Sequence, residues 1–501
     1  MTDWTIKDLE RYEEAISKIA KEEGLNCFEQ EYEICDHAEM IGYMAYNGMP
    51  AHYPHWSFGK SFERSETLYR YGVQGLPYEM VINADPSLAY LMRSNSLALH
   101  IVTIAHAGCG HNDFFKNNRC FRHTRPEYTM QRFKTHADRV REYTKDPSIG
   151  RRRVEQVLTA AHALSLHRRR NIEAPRLNQA EQRKRLFESA QPRKDEWTDI
   201  HSRPDYKTPD LSRVPLEPEE DILLFIRDFN PSLESWEKDL LTIVAEESDY
   251  FWPQIETKIM NEGWATYWHY KILNSLKLPP ELHLEFLKLH NQVIAPHIGS
   301  INPYRLGFEL FKDIYRRWEN PTPEEKEKYG LSGGEGKSKI FSVRAAERDI
   351  SFLHQYLTEE FLRRFFFVEY AEDEEEIMIT DTVDEHNWQD FRGQIVQNTG
   401  SNSIPDIRVY DSNFKNAQTL LALHCFDGRE LHPEYAAHTL RHFQTLWRRR
   451  VHLLTWNLRE KACWLYTTDP SDKITQHKHC ESPDCPLRKW LKERGQEHLI
   501  L

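Results

Sequence analysis

A chain of 501 residues is too long for one ordinary core and suits two or three domains of about 100 to 200 residues each. With 39% apolar, 12% aromatic and 29% charged residues it has ample surface to bury, which excludes a disordered or fibrous class. A formal net charge of -12 argues against nucleic acid as partner of the whole protein, and eight thinly scattered cysteines exclude a disulfide-stapled secreted domain and fit a reducing cytoplasm.

The N-terminal run MTDWTIKDLERYEEAISKIAKEEG is charged every few residues and lacks the apolar core of a secretory signal. The most apolar run, Leu97 to Cys109, is too short to span a bilayer and contains His100 and His106, so a soluble cytoplasmic protein is expected. Residues 8–23 place Leu9, Tyr12, Ile16 and Ile19 at helical spacing. The stretch from Gly48 to Gly75 is rich in Gly, Pro, His and aromatics and predicts an ordered loop. Its His52, His55, Trp56 and Lys60 would line a substrate pocket or, more plainly, close over the helices.

Asp85-Pro86-Ser87 predicts the start of a helix running to about Asn117, and LALHIVTIAHAGC within it is apolar on every face, so the helix must be buried. From Arg122 to Lys194 stand 19 Lys and Arg against 8 Asp and Glu, a basic arm that reads as a solvated face or a surface for an anionic partner. After an irregular connection over residues 191–218, helices are expected from Ser232 to about Tyr250, from Gln254 to Leu276 beyond a break at Pro253, and from Glu281 to Val293. Beyond a glycine-rich loop at 330–339, a helix over Val343 to Phe366 precedes a β-rich region. Its strands are expected at Ile377–Thr380, Asp406–Tyr410, Thr419–Phe426, Val451–Trp456 and Ala462–Thr467, around a helix at Pro433–Trp447. Asp427-Gly428 gives a hairpin signal after Leu421–Phe426.

The fold class is therefore a mainly α N-terminal domain, with a zincin-like helical core as one option, followed by a smaller α+β C-terminal domain. The expected division is 1–330 including the arm at 122–194, then 340–470, then a polar Cys- and His-containing tail at 471–501.

Chemistry is signalled by two helices. On the first of them, Glu262 and His269 lie seven residues apart, hence on one face, among Ile255, Ile259, Ala265, Thr266 and Leu273. A carboxylate and an imidazole on an apolar stripe need partners or a cation. The second helix carries His100, His106, His111 and Asp113.

Two histidines and a glutamate from a distant helix form a ligand set for catalytic zinc with an open fourth position. The segment NEGWA at 261–265 looks like the downstream glutamate segment of gluzincin metallopeptidases, whose other ligands come from a His-Glu-x-x-His helix. Here the histidines are separated by four residues, about 140° apart on an α-helix. Gly108 and Gly110 would have to support a helix break or π-bulge. The general-base glutamate between the histidines is absent.

The expected zinc ligands are His106, His111, Glu262 and His269, with Asp113 and His55 as catalytic candidates. Glu31, Glu33 and the acids of Glu246-Glu247-Ser248-Asp249 are further options for the base. The alternative is a set of core histidines satisfied by hydrogen bonds. Neither helix carries the Glu-x-x-His pair of a di-iron bundle, and the His477, His479, Cys480, Cys485 spacing is a weak signal for structural zinc.

Six segments carry a family likeness: MPAHYPHWSFGKSFE at 49–63, YEMVINADPSLAYLM at 78–92, AHAGCGHNDFFKNN at 105–118, MNEGWATYWH at 260–269, NPYRLG at 302–307 and RDISFLHQYLTEE at 348–360. Through them the chain resembles the SpoVR (stage V sporulation protein R) family. The resemblance implies a setting in spore cortex formation or stress response and association with a PrkA-type serine kinase. It implies no established reaction, which leaves two readings: a metal-dependent hydrolase of peptide or peptidoglycan-precursor amide bonds, or a non-catalytic regulatory scaffold.

Overall fold

The computed structural model describes residues 4–71, 79–171, 174–175, 177–190, 211–296, 300–365, 369–372, 377–381, 387–469, 474–478 and 485–500. Two compact units interleave along the chain, residues 1–142 with 249–403 and residues 143–248 with 404–501. Among the described residues no helix is long and apolar enough to cross a membrane.

The first unit is mainly helical. Its N-terminal helix, Ile6–Glu22, is capped by Thr5 and buries Leu9, Tyr12, Ile16 and Ala20, a stripe set by their spacing. A small sheet that the sequence does not signal follows. In it β1 (Gln30–Cys35) pairs in parallel with β3 (Ser87–Met92), and β3 pairs antiparallel with β2 (Glu79–Ile82).

The helix expected to open at Asp85 therefore starts later. Ser-Leu-Ala-Tyr-Leu-Met is the central strand, with Ser87, Ala89, Tyr90 and Leu91 buried, as suits a strand flanked on both sides. The helix begins at Leu97, where the Ser96 hydroxyl accepts a hydrogen bond from the Leu99 amide.

At the centre of this unit lies the helix Lys258–Ser275, buried on nearly all sides through Ile259, Met260, Trp264, Trp268, Ile272 and Leu273. Pro253 does not end the preceding helix, which runs Ser235–Glu256; the break falls at Thr257, whose hydroxyl donates to the Pro253 carbonyl. Thr257 gives no side-chain cap to the central helix. Asp349 does so instead, its carboxylate accepting from the Ile259 and Met260 amides at 2.8 and 2.9 Å. The single helix expected over 343–366 is divided into Gly336–Ala346, Asp349–Tyr356 and Glu359–Phe365, with Asp349 opening the second.

Two close approaches set the neighbours of the central helix. A Cβ built on Gly263 would lie 2.4 Å from the backbone of Gly307, on the helix Pro303–Glu319, and one built on Gly110 would lie 2.4 Å from the Ala265 Cα. Residues 377–381 form β5 (Ile377–Asp381), paired with β4 (Glu369–Glu372).

In the second unit, β6 (Ile407–Phe414), β7 (Thr419–His424), β8 (Val451–Asn457), β9 (Ala462–Thr468) and β10 (Ile474–Lys478) form one sheet in the order β10-β9-β8-β7-β6. The helix Pro433–Trp447 stands where expected and connects the parallel pair β7 and β8. For that reason Asp427-Gly428 does not close a hairpin. The turn that does lies between β6 and β7, where Lys415, Asn416 and Gln418 take positive φ. Leu421, Leu423, Leu454, Trp456, Leu465, Leu487 and Trp490 build this core.

Candidate metal centre

The buried helix carrying the histidines changes pitch where they lie. Leu97–Thr103 is α, Ile104–His111 is π, and Asn112–Asn117 is α again. A π turn bonds residue i to i+5, which brings His106 and His111 onto one face although an α-helix would splay them. Their ring centroids stand 4.6 Å apart, the planes at 86°. Gly108 and Gly110 fit the segment into its surroundings: a Cβ on Gly108 would lie 2.0 Å from the Tyr32 hydroxyl, and Gly110 meets the backbone of the central helix.

One turn below that meeting point, Glu262 projects toward both rings. Its Oε2 lies 3.6 Å from His106 Nε2 and 3.5 Å from His111 Nε2. Among the described residues this is the only group of three or more ligating side chains whose ligand atoms all lie within 4.8 Å of one another. Metal bonds of about 2.0 Å at tetrahedral angles put ligand atoms about 3.3 Å apart, close to these separations.

Glu262 Oε2 is sealed from solvent and makes no hydrogen bond among the described residues, while the side chain as a whole is 18% exposed. Burial alone would raise its carboxyl; the two imidazoles outweigh that and hold it well below the ordinary carboxylate range.

Behind each imidazole stands a partner. His111 Nδ1 lies 2.8 Å from Asn261 Oδ1, His106 Nδ1 lies 2.9 Å from His269 Nδ1, and His269 Nε2 lies 2.9 Å from His290 Nδ1. Burial and neighbouring histidines push His269 well below the usual imidazole range, and burial, with Lys312 and His106, pushes His290 down to about 4. These rings are therefore neutral near pH 7. The Tyr304 ring lies nearly parallel to His106 at 6.0 Å, and Phe115 stacks on His111 at 6.0 Å.

The structure thus brings together His106, His111 and Glu262 and sets His269 one ring back, both its nitrogens bonded to other histidines. Asp113 is turned elsewhere. Its fully buried carboxylate accepts from the Asn26 amide at 2.8 Å and Trp264 Nε1 at 2.9 Å, and lies 3.5 Å from Arg344 Nε. Burial raises its carboxyl against the opposing pull of Arg344.

His55 is the N-cap of the helix Trp56–Arg70, its Nδ1 2.7 Å from the Ser57 hydroxyl. Glu31 and Glu33 lie exposed on β1, and Glu33 accepts from the Tyr43 hydroxyl. In the C-terminal region Cys485 Sγ lies 3.3 Å from Cys463 Sγ, while His479 and Cys480 lie outside the described residues. Asn261 and His290 were missed by sequence reasoning. Asn261 adjoins Glu262 and could have been found from that; His290, on the helix Pro280–Val293, carries no local signal.

A family model described as SpoVR like protein matches residues 3–404, and one described as SpoVR-like C-terminal domain matches residues 405–458. The uncharacterized protein YcgB of Escherichia coli (strain K12) is 33% identical over 469 residues, 89% of this chain and 91% of that protein. No solved structure matches. With both family models aligned end to end along it, and the likeness to YcgB spanning the same two regions, the chain belongs to the SpoVR family.

Proposed function

We propose that this protein binds one zinc ion through His106 Nε2, His111 Nε2 and a Glu262 carboxylate oxygen, and that it is a metal-dependent hydrolase of amide bonds in peptide or peptidoglycan-precursor substrates. The observation that carries the reading is Glu262 Oε2, sealed from water and without a hydrogen bond, facing two imidazole nitrogens at 3.5 and 3.6 Å. The two imidazoles already favour the ionised carboxylate, and the three atoms stand at separations close to those of a tetrahedral metal site, so a cation would sit among them without moving a ligand far.

Two imidazoles and one carboxylate leave a fourth position open. Zinc held there supplies a Lewis acid and a bound water that ionises near neutral pH. The protein's own groups do the rest: Asn261 and His269 orient the rings from behind, and the Tyr304 ring borders His106. The π turn gives the His-x4-His pair the role that His-Glu-x-x-His plays in gluzincins, and Asn261-Glu262-Gly263-Trp264-Ala265 corresponds to their downstream glutamate segment. The setting we propose is the cytoplasm, in spore cortex formation or a stress response.

One observation favours a second reading. Between the histidines stand Ala107, Gly108, Cys109 and Gly110, so the base found there in gluzincins has no counterpart in the sequence, and Asp113 is committed to Asn26, Trp264 and Arg344. A cluster without a base suits a structural role in a non-catalytic regulatory scaffold that engages a protein such as a PrkA-type serine kinase. Elemental analysis of purified protein discriminates the two: near-stoichiometric zinc, lost in His106→Ala and Glu262→Ala, is expected, and a fully folded protein that takes up no zinc overturns the enzyme and favours the scaffold. Amide hydrolysis that disappears in Glu262→Ala decides for the enzyme.

A further inference from the structure

His111 and His106 are held from behind in different ways. Behind His111 stands an amide oxygen, Asn261 Oδ1, which only accepts; His111 Nδ1 therefore donates and its Nε2 keeps a lone pair. Behind His106 stands another histidine, which can donate or accept, and behind that a third.

Proton counting settles what such a row can do. A row of three imidazoles with no net charge carries three protons on six nitrogens. One proton lies in the bond between His106 Nδ1 and His269 Nδ1 and one in the bond between His269 Nε2 and His290 Nδ1, both 2.9 Å long. The third must sit at an end of the row, on His106 Nε2 or on His290 Nε2. With it on His106, the nitrogen facing Glu262 is a donor and cannot bind a cation. With it on His290, both hydrogen bonds run away from the centre and His106 Nε2 presents a lone pair.

We propose that His269 and His290 are positioning residues that set the tautomer of His106: cation binding reverses the direction of both hydrogen bonds and leaves the third proton on His290 Nε2, while His111 is locked in its ligating form beforehand. The inference rests on the reading of His106, His111 and Glu262 as a metal site and adds to it two residues that touch no metal. The row's net proton count is unchanged: His269 passes its Nδ1 proton to His106 and His290 its Nδ1 proton to His269, while the His106 Nε2 proton leaves at the cation's face and one is taken up from water at His290 Nε2.

The test measures zinc affinity by competition with a chromophoric chelator. His269→Phe removes the acceptor behind His106 and is expected to weaken binding about 10- to 100-fold. His269→Gln, whose amide oxygen accepts from His106 Nδ1, is expected to recover most of that loss. His290→Phe, at the far end of the row, serves as the second variant if His269→Phe does not fold, and is expected to weaken binding by a smaller factor. In protein labelled with 15N-histidine, His290 is expected to show the Nε2-protonated tautomer with zinc and to lose it on chelation. Wild-type affinity in the Phe variants, or a His290 spectrum indifferent to zinc, overturns the inference and leaves the site standing. Failure of the wild type to bind zinc overturns the site itself.

Discussion

Gly110→Ala puts the relation between packing and the centre to a direct test. The added methyl would meet the Ala265 Cα at 2.4 Å and its Cβ at 2.7 Å, whereas carbon atoms rest about 3.5 to 4.0 Å apart. The missing distance is more than about 1 Å, and the nearest atom is backbone, so no rotamer change relieves it. Overpacking of this kind costs about 1 to 3 kcal/mol, and better helix propensity returns about 1 kcal/mol, so the net destabilisation in urea is about 2 kcal/mol at most. The effect on the centre is expected to be larger in proportion. Gly110 lies between the two histidines and Ala265 lies one turn past Glu262, so separating the helices moves the ligand sets apart by far more than the roughly 0.2 Å that a metal site tolerates. Zinc affinity should fall beyond the roughly 100-fold typical of outer-sphere changes. Ala265→Gly in the same chain removes the clash with the methyl group and leaves the closer clash with the backbone, so it should not rescue. Unchanged affinity in Gly110→Ala, or full rescue by Ala265→Gly, refutes the argument.

Three further outcomes follow from groups around the centre. Burial, reinforced by Glu256, pushes the Asp349 carboxyl up to about 7 from its ordinary 3.8 against the pull of the Ile259 and Met260 amides. The folded state thus holds this proton more tightly than the unfolded chain. Its contribution is full below pH about 4 and is lost as pH rises toward 7; urea melts at pH 5 and 8 should show that decline, and Asp349→Asn should flatten it. Arg344→Met leaves Asp113 buried without its cation and should cost about 3 to 5 kcal/mol in thermal or urea unfolding. Chelation should lower the melting temperature of the wild-type protein, zinc should restore it, and His106→Ala should respond to neither.

Much of both units could be read along the chain because the signals there are local. The stripe Leu9, Tyr12 and Ile16 gives a helix at any tertiary setting, and the β7, Pro433–Trp447, β8 order follows from runs whose period changes cleanly. What could not be read depended on partners far away. Ser87–Met92 has the apolarity of a buried helix segment and becomes a strand only because β1 and β2 flank it. Pro253 is a residue that ordinarily stops a helix, yet the break waits for Thr257 because Asp349, more than ninety residues on, supplies the cap. At the centre, Glu262 was visible as a carboxylate on an apolar stripe, and the glycines gave reason to look for a π turn. The order of the histidine row was not visible, since only the fold decides which nitrogen of His269 meets His106 and which meets His290.

The physical case for a shared purpose lies in where the unfavourable features fall. A π segment is less stable than the α-helix it interrupts, a glycine in a helix costs about 1 kcal/mol relative to alanine, and an interior carboxylate oxygen without a hydrogen bond is expensive to desolvate. Each has a bland explanation when it occurs alone. Here the π segment carries both histidines, Gly110 lies between them against the helix that bears Glu262, and the unpaired oxygen belongs to that same Glu262. A core selected for stability alone would be improved by straightening the π turn and making Glu262 apolar, and Gly110 is needed only because the π segment lies so close to Ala265. Those changes would separate or remove the same three ligand atoms, and this is why binding, more than packing, accounts for their keeping company.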